Sequence, residues 1–238
     1  MSEPTPAQPR SPFNGWYVWA AILLVVIVAA AVIVGISAAS GGNKTSASPT
    51  KSPKPVAASD SVCGLQPGDQ SIPTTAAPQT TWTLVGQVAA PDGPRAIGPG
   101  KITSDGLRTC FAQSPVGALY AAATFYALGS DAATAAAGYR YFLPAGAGRD
   151  AVLTTLSENP PKGGGGVQIA GFQVRKYERT SAVIDLAVRN SNAAFVSFVT
   201  QLVWQDGDWK VVVQDNGQPA VAPAQIDNLS GYLQWSGA

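Results

Sequence analysis

Histidine is absent from this chain of 238 residues. That absence removes Ser-His and Cys-His nucleophile pairs, histidine general bases and most zinc sites. Charge is scarce as well: 12% of residues are charged and the formal net charge is +1. Nothing in that balance provides the clustered basic face that nucleic-acid binding requires, so no nucleic-acid partner is expected. Cysteine is limited to Cys63 and Cys110. With no histidine to complete a metal site, the pair reads as a disulfide formed in an oxidising compartment, two unrelated buried thiols being the alternative. Closing a loop of about 48 residues contributes about 4 kcal/mol on the chain-entropy model. Phosphate loops are missing too. Gly163 to Gly166 run into Val167 without a following Gly-Lys-Ser/Thr, and Gly98-Pro99-Gly100-Lys101 lacks the required spacing. The expectation is therefore a protein that is not an enzyme, with no catalytic residue, no cofactor and no metal.

What is present begins with an apolar run, Tyr17 to Ile36 (YVWAAILLVVIVAAAVIVGI), free of charged residues. About 20 residues at ~1.5 Å rise cross a ~30 Å hydrocarbon core. Trp16, Tyr17 and Trp19 stand at its front edge, where amphipathic rings favour a membrane interface. The expected plan is a short cytoplasmic tail over 1–15, a transmembrane helix over 16–37, a tether over 38–61 and an extracytoplasmic domain over 62–238. A cleaved signal peptide is the alternative, since Ser37-Ala38-Ala39 offers small residues for cleavage; the run is longer than the usual ~7–15-residue apolar region of such a leader. Both readings put the bulk of the chain outside the cytoplasm, at the cell membrane in the first. The tether is rich in Ser, Pro, Thr, Gly and Lys. It cannot bury enough apolar surface to fold, and as a coil of ~25 residues it spans about 25–30 Å.

Residues 62–113 read as a Pro/Gly-rich lead-in with one strand at Trp82–Val88. Ser114-Pro115 is a helix start, a hydroxyl N-cap followed by proline at the first helical position. Val116, Leu119, Tyr120, Ala123 and Tyr126 follow at helical spacing and Gly129 closes the run. Ser130-Asp131 reads as the cap of a second helix stopped by Pro144, and Arg149–Leu156 as a third, with Arg149-Asp150 in its first turn. After the glycines the period changes to two. Gln168–Tyr177 places Ala170, Phe172 and Val174 on one face; Ala182–Val188 places Ile184, Leu186 and Val188 together; Phe195–Gln205 aligns Val196, Phe198, Thr200, Leu202 and Trp204. Glu178 to Ser181 suit a hairpin turn. Asp206-Gly207 is a two-residue type I′ turn signal that sets Gln205 opposite Asp208 and Trp204 opposite Trp209, a cross-strand pair worth roughly 0.2–1 kcal/mol. The core candidates are thus Phe172, Phe198, Leu202, Trp204 and Trp209, the tryptophans reading as core rather than as ligand-stacking rings. Asp206 and Asp208 flank a turn glycine and are expected to be solvated. Asp185 is expected either exposed or paired to Arg175 or Arg189. Leu229, Tyr232, Leu233 and Trp235 near the end are expected to tie back onto the domain, a partner-facing patch being the alternative.

Helices followed by long antiparallel strands indicate an α+β domain, the helices packed on one face of a curved sheet. The element order and the segment "VWQDGDWKVVV" (Val203 to Val213) resemble the cystatin-like superfamily named after nuclear transport factor two. More narrowly, "SVCGLQPGDQSIP", "TWTLVGQVAAP", "GPGKITSDGLRTCFAQSPVGALYAAA", "AGAGRDAVL", "VQIAGFQV", "DGDWKVVV" and "LSGYLQWSG" resemble an uncharacterised actinobacterial family of membrane-anchored proteins found with integrative and conjugative elements. The resemblance covers nearly all of 61–238 and brings no catalytic residues with it. It implies a non-enzymatic, single-pass envelope protein, a structural or assembly subunit of a conjugation or type IV secretion-like apparatus. Its partners are then the lipid bilayer through Tyr17–Ile36 and other envelope proteins of that apparatus, with homo-oligomerisation left open. The alternative is a small-ligand-binding or sensor module that uses the cone between helices and sheet.

Overall fold

The structure is a computed structural model that describes residues 61–161 and 167–237. The Tyr17–Ile36 run, the tether up to Asp60 and the Gly163–Gly166 segment lie outside the described residues. Three helices and ten strands are found within them, in an α+β arrangement. The expected fold, opening with a transmembrane helix, has to be corrected. Among the described residues no helix is long and apolar enough to cross a membrane. The longest, α1 (Pro115–Gly129), has 15 residues and is taken up by protein on almost every side.

That first helix starts where its sequence says it must. Ser114 Oγ accepts from the Gly117 N–H at 3.0 Å, and Pro115 occupies the first turn. Gly117 is required by contact: a Cβ there would sit 1.9 Å from the Ala112 carbonyl oxygen. Ala118, Ala121, Ala122, Ala123 and Ala127 are buried with Leu119, Tyr120 and Leu128, so α1 is apolar all round and runs through the centre of the core. It packs on α2 (Ala135–Phe142), on the β1–β2 hairpin and across the sheet. The second helix begins later than Ser130-Asp131 suggests. Asp131 Oδ2 accepts from Thr134 N–H at 3.1 Å and from Thr134 Oγ1 at 2.9 Å, closing a side-chain turn before the first helical residue. α3 (Ala147–Glu158) carries Asp150 in its first turn, where a carboxylate suits the helix dipole.

The single strand expected at Trp82–Val88 is in fact a hairpin, β1 (Thr81–Val85) and β2 (Val88–Gly93), turning at Gly86-Gln87. A second ribbon joins β3 (Lys101–Ile102) to β4 (Arg108–Thr109). The main sheet is six-stranded and antiparallel, in the order β10-β5-β6-β7-β8 with β9 also on β7. Its members are β5 (Gln168–Glu178), β6 (Ser181–Arg189), β7 (Phe195–Gln205), β8 (Asp208–Val211), β9 (Ala224–Ile226) and β10 (Leu233–Gln234). Asp206 (φ 55°) and Gly207 (φ 74°) form the tight turn read from the sequence. Gln205 pairs with Asp208 and Trp204 with Trp209, their rings edge-to-face at 5.3 Å.

Strand β5 departs from simple alternation at two bulges. The first leaves Ala170 unpaired, so Ile169 rather than Ala170 joins Phe172 and Val174 on the helix side, opposite Val188, Leu186 and Ile184. The second leaves Arg175 unpaired. Phe172, Ile184, Leu186, Leu202 and Trp209 are buried against α1, while Phe198 and Trp204 are half-buried at the rim.

The chain end is built into the core. β10 pairs with β5 at Phe172 and Gly171, and Trp235 is 5% exposed. Its ring lies 4.5 Å from that of Trp82, 5.5 Å from Phe172 and 5.7 Å from Tyr120. Its Nε1 donates to Thr80 Oγ1 at 2.8 Å, which in turn meets the Tyr120 hydroxyl at 2.7 Å. Truncating Trp235→Ala empties this junction, and a loss of about 3–5 kcal/mol is expected in chemical denaturation.

Burial pushes the Tyr139 hydroxyl up to about 12, and Tyr177 likewise, from an ordinary value of 10.0. Both groups are raised in the folded state, so the stability they contribute is complete below pH 10. It is lost between about pH 10 and 12, as the unfolded chain releases these protons first. Melting temperatures should therefore fall over that window in step with phenolate absorbance, and the fall should shrink in Tyr139→Phe.

Candidate functional site

The lead-in of the domain meets the Asp-Gly hairpin in the structure. Cys63 and Cys110 form a disulfide, 47 residues apart in sequence. Val62 N–H donates to the Gly207 carbonyl oxygen at 2.8 Å, which lays the start of the domain on the β7–β8 turn. Cys110 has φ 70°, a left-handed backbone that a β-carbon disfavours.

Asp208 explains how Cys110 is held there. The expectation of a solvated pair is met at Asp206, which is exposed, and fails at Asp208, which is 0% exposed. Oδ2 of Asp208 accepts from the Cys110 N–H at 2.6 Å and the Tyr141 hydroxyl at 2.7 Å. Oδ1 accepts from Phe111 N–H at 3.0 Å and Trp209 N–H at 2.9 Å. Burial pushes this carboxyl up from its ordinary value, and the four donors pull it the other way. The Tyr141 hydroxyl is driven up by its own burial and by the neighbouring Asp208 charge, so it keeps its proton and donates it. Lys210 lies beside this group. Burial lowers its pKa, its Nζ donates to the Tyr141 carbonyl oxygen at 2.9 Å, and it sits 3.7 Å above the Tyr141 ring.

A second buried carboxylate lies further along the same sheet, on β6. Asp185, also 0% exposed, is paired with Arg175, one of the two partners considered for it from sequence. The β5 bulge brings that guanidinium to Asp185 Oδ2, where the Tyr232 hydroxyl also donates at 2.7 Å; Ser197 Oγ donates to Oδ1 at 2.7 Å. The site thus latches the chain end to β6 and β7. Each carboxylate is filled by donors that hold the fold.

The remaining feature is a cleft of about 310 Å³ lined by Asp92, Arg95, Pro99, Gly100, Lys101 and Ile102. It opens beside the disulfide: a Cβ on Gly100 would meet Cys63 Sγ at 2.8 Å and Cys110 Sγ at 3.2 Å, so only a glycine fits against the bridge. Asp92 Oδ1 accepts from Arg108 Nη1 at 2.7 Å. Pro99-Gly100-Lys101 thus lines a cleft, though not as a phosphate loop. The N–H groups of Ile97, Gly98 and Gly100 are donated to Pro94 and Cys110 carbonyl oxygens at 2.7–3.2 Å. Among the described residues no group of three or more His, Cys, Asp or Glu side chains is placed to hold a metal ion.

Residues 43–234 match the model of a family described as a domain of unknown function (DUF8175). The chain belongs to that family. The matched span includes both cysteines, both buried carboxylates and the whole cleft, and it stops one residue short of Trp235. No curated protein and no solved structure matches the chain.

Sequence pattern carried the cysteines and the Trp204–Trp209 register, and it missed Asp208 and the cleft. No local signal marked Asp208: strand alternation sets it on the other face from Trp209, and its donors at Cys110 and Phe111 are 98 and 97 residues away. Replacing Asp208 with Asn keeps the shape but turns an amide NH2 toward N–H donors. A destabilisation of about 3 kcal/mol or more is expected for Asp208→Asn, and about 1.5–3 kcal/mol for Tyr141→Phe, both read by denaturant titration.

Proposed function

We propose that this protein is a non-enzymatic assembly subunit that works outside the cytoplasm, in an envelope apparatus of the conjugation or type IV secretion kind. The observation that carries the non-catalytic reading is the state of its two buried carboxylates. Asp185 and Asp208 are each engaged by structural donors, so neither is free to act on a substrate. The space between α1 and the sheet, where a small-ligand module of this layout would hold its ligand, is occupied by Leu119, Tyr120, Phe172, Leu202 and Trp209, all buried. What is left to act is the surface. The Cys63–Cys110 disulfide supports an oxidising compartment. The conjugative setting rests on the resemblance of the quoted motifs.

Crosslinking of the full chain in its native cells, followed by mass spectrometry, tests the reading. Adducts to envelope proteins of a transfer apparatus are expected. Recovery of self-adducts alone would sink it.

A further inference from the structure

The cleft beside the disulfide carries an unbalanced charge. Its one acid, Asp92, is neutralised by Arg108. Arg95 and Lys101 are exposed on its wall, and neither side chain has a hydrogen-bond or ion-pair partner among the described residues. Two positive charges are thus left facing solvent around one concavity, and they attract an anion. The floor is rigid, because Gly100 rests on the disulfide and donates its N–H to Cys110.

The kind of anion follows from what the cleft lacks. A phosphate cradle presents several free backbone N–H groups to its ligand. Here Ile97, Gly98 and Gly100 have donated theirs inward, and Pro94 and Pro99 have none. Recognition falls to the two cationic side chains and to an apolar wall of Pro99 and Ile102. Ile102 is 45% exposed, and Val62, next to the bridge, is 60% exposed. Cations flanked by exposed aliphatic groups complement carboxylates carried on a peptide that also presents aliphatic side chains. We propose that this cleft receives an acidic, aliphatic-flanked segment of a protein partner, with Arg95 and Lys101 binding its carboxylates and Ile102 its apolar neighbour. The inference rests on the assembly reading above and names the chemistry of the partner.

The test is fluorescence anisotropy of the full-length protein with a labelled peptide of alternating Glu and Leu. A Gln-for-Glu counterpart and inorganic phosphate as competitor are run beside it. Binding of the Glu peptide that weakens with added salt is expected. Arg95→Gln and Lys101→Gln should each weaken it about 3–10-fold and together by more, while Arg189→Gln, on the far end of β6, leaves it unchanged. Melting curves of the variants should match the parent, since neither side chain supports the fold. Equal binding of the Gln peptide, unchanged binding in the double variant, or displacement by phosphate at peptide concentrations overturns the proposal, the last pointing to a small-anion site. The crosslinking experiment repeated on the double variant separates the two readings. Partner adducts that persist there overturn the cleft proposal and leave the assembly reading standing; no partner adducts from the parent chain overturns the assembly reading itself.

Discussion

The buried carboxylate of Asp208 is the constraint on which the rest of the structure depends. A charge removed from water costs several kcal/mol unless its lone pairs are filled. Here they are filled by main-chain N–H groups of Cys110, Phe111 and Trp209 and by the Tyr141 hydroxyl. Those donors come from the segment leading into α1, from the end of α2 and from β8, so none of the three can shift alone. The next residue adds to the same joint, with Trp209 Nε1 donating to the Ala112 carbonyl oxygen at 2.9 Å. The disulfide holds Cys110 from the other side, in a left-handed conformation whose cost is of order 1–3 kcal/mol. Hydrogen bond and covalent bridge together keep a strained residue in place.

Strand β6 repeats this logic with different chemistry. Asp185 collects Arg175 from a bulge in β5, Ser197 from β7 and Tyr232 from the chain end. Through Tyr232 and the β10 pairing, Trp235 reaches the ring cluster of Trp82, Tyr120 and Phe172. The two carboxylates thus close the domain at its beginning and at its end. Acid groups held in this way serve the fold, and the proposed function rests on the surface. There the cleft at Arg95 and Lys101 shares its floor with the bridge that Cys110 anchors. Site geometry and fold stability are therefore coupled at one point, through Gly100 and the disulfide.

What could be read from sequence was local. Ser114-Pro115 caps α1 because the hydroxyl and the fixed φ of proline act within one turn. Asp206-Gly207 sets the register of β7 and β8 because both residues accept a positive φ, and Trp204 meets Trp209 as a direct consequence. Period-two patterning marked β6 and β7, where no bulge interrupts. It misassigned Ala170, because a bulge changes which residue faces the core without leaving a mark in the hydrophobic pattern. The hairpin at Gly86-Gln87 was hidden for a related reason: WTLVGQV alternates smoothly enough to pass for one strand.

By itself, then, the sequence determined the class of the domain, the cap of α1 and the Asp-Gly hairpin, since each depends on neighbours along the chain. It pointed to a disulfide between its two cysteines, and the structure decided that over two separate thiols. Only the tertiary structure decided that Asp208 is buried while Asp206 is not. Its first donor lies 98 residues away, and no spacing in the hairpin records that approach. The same holds for the cleft. The proposed site at Arg95 and Lys101 arises because folding lays Gly100 against the disulfide and turns the N–H groups of Ile97, Gly98 and Gly100 inward, leaving two cations without a counter-charge among the described residues.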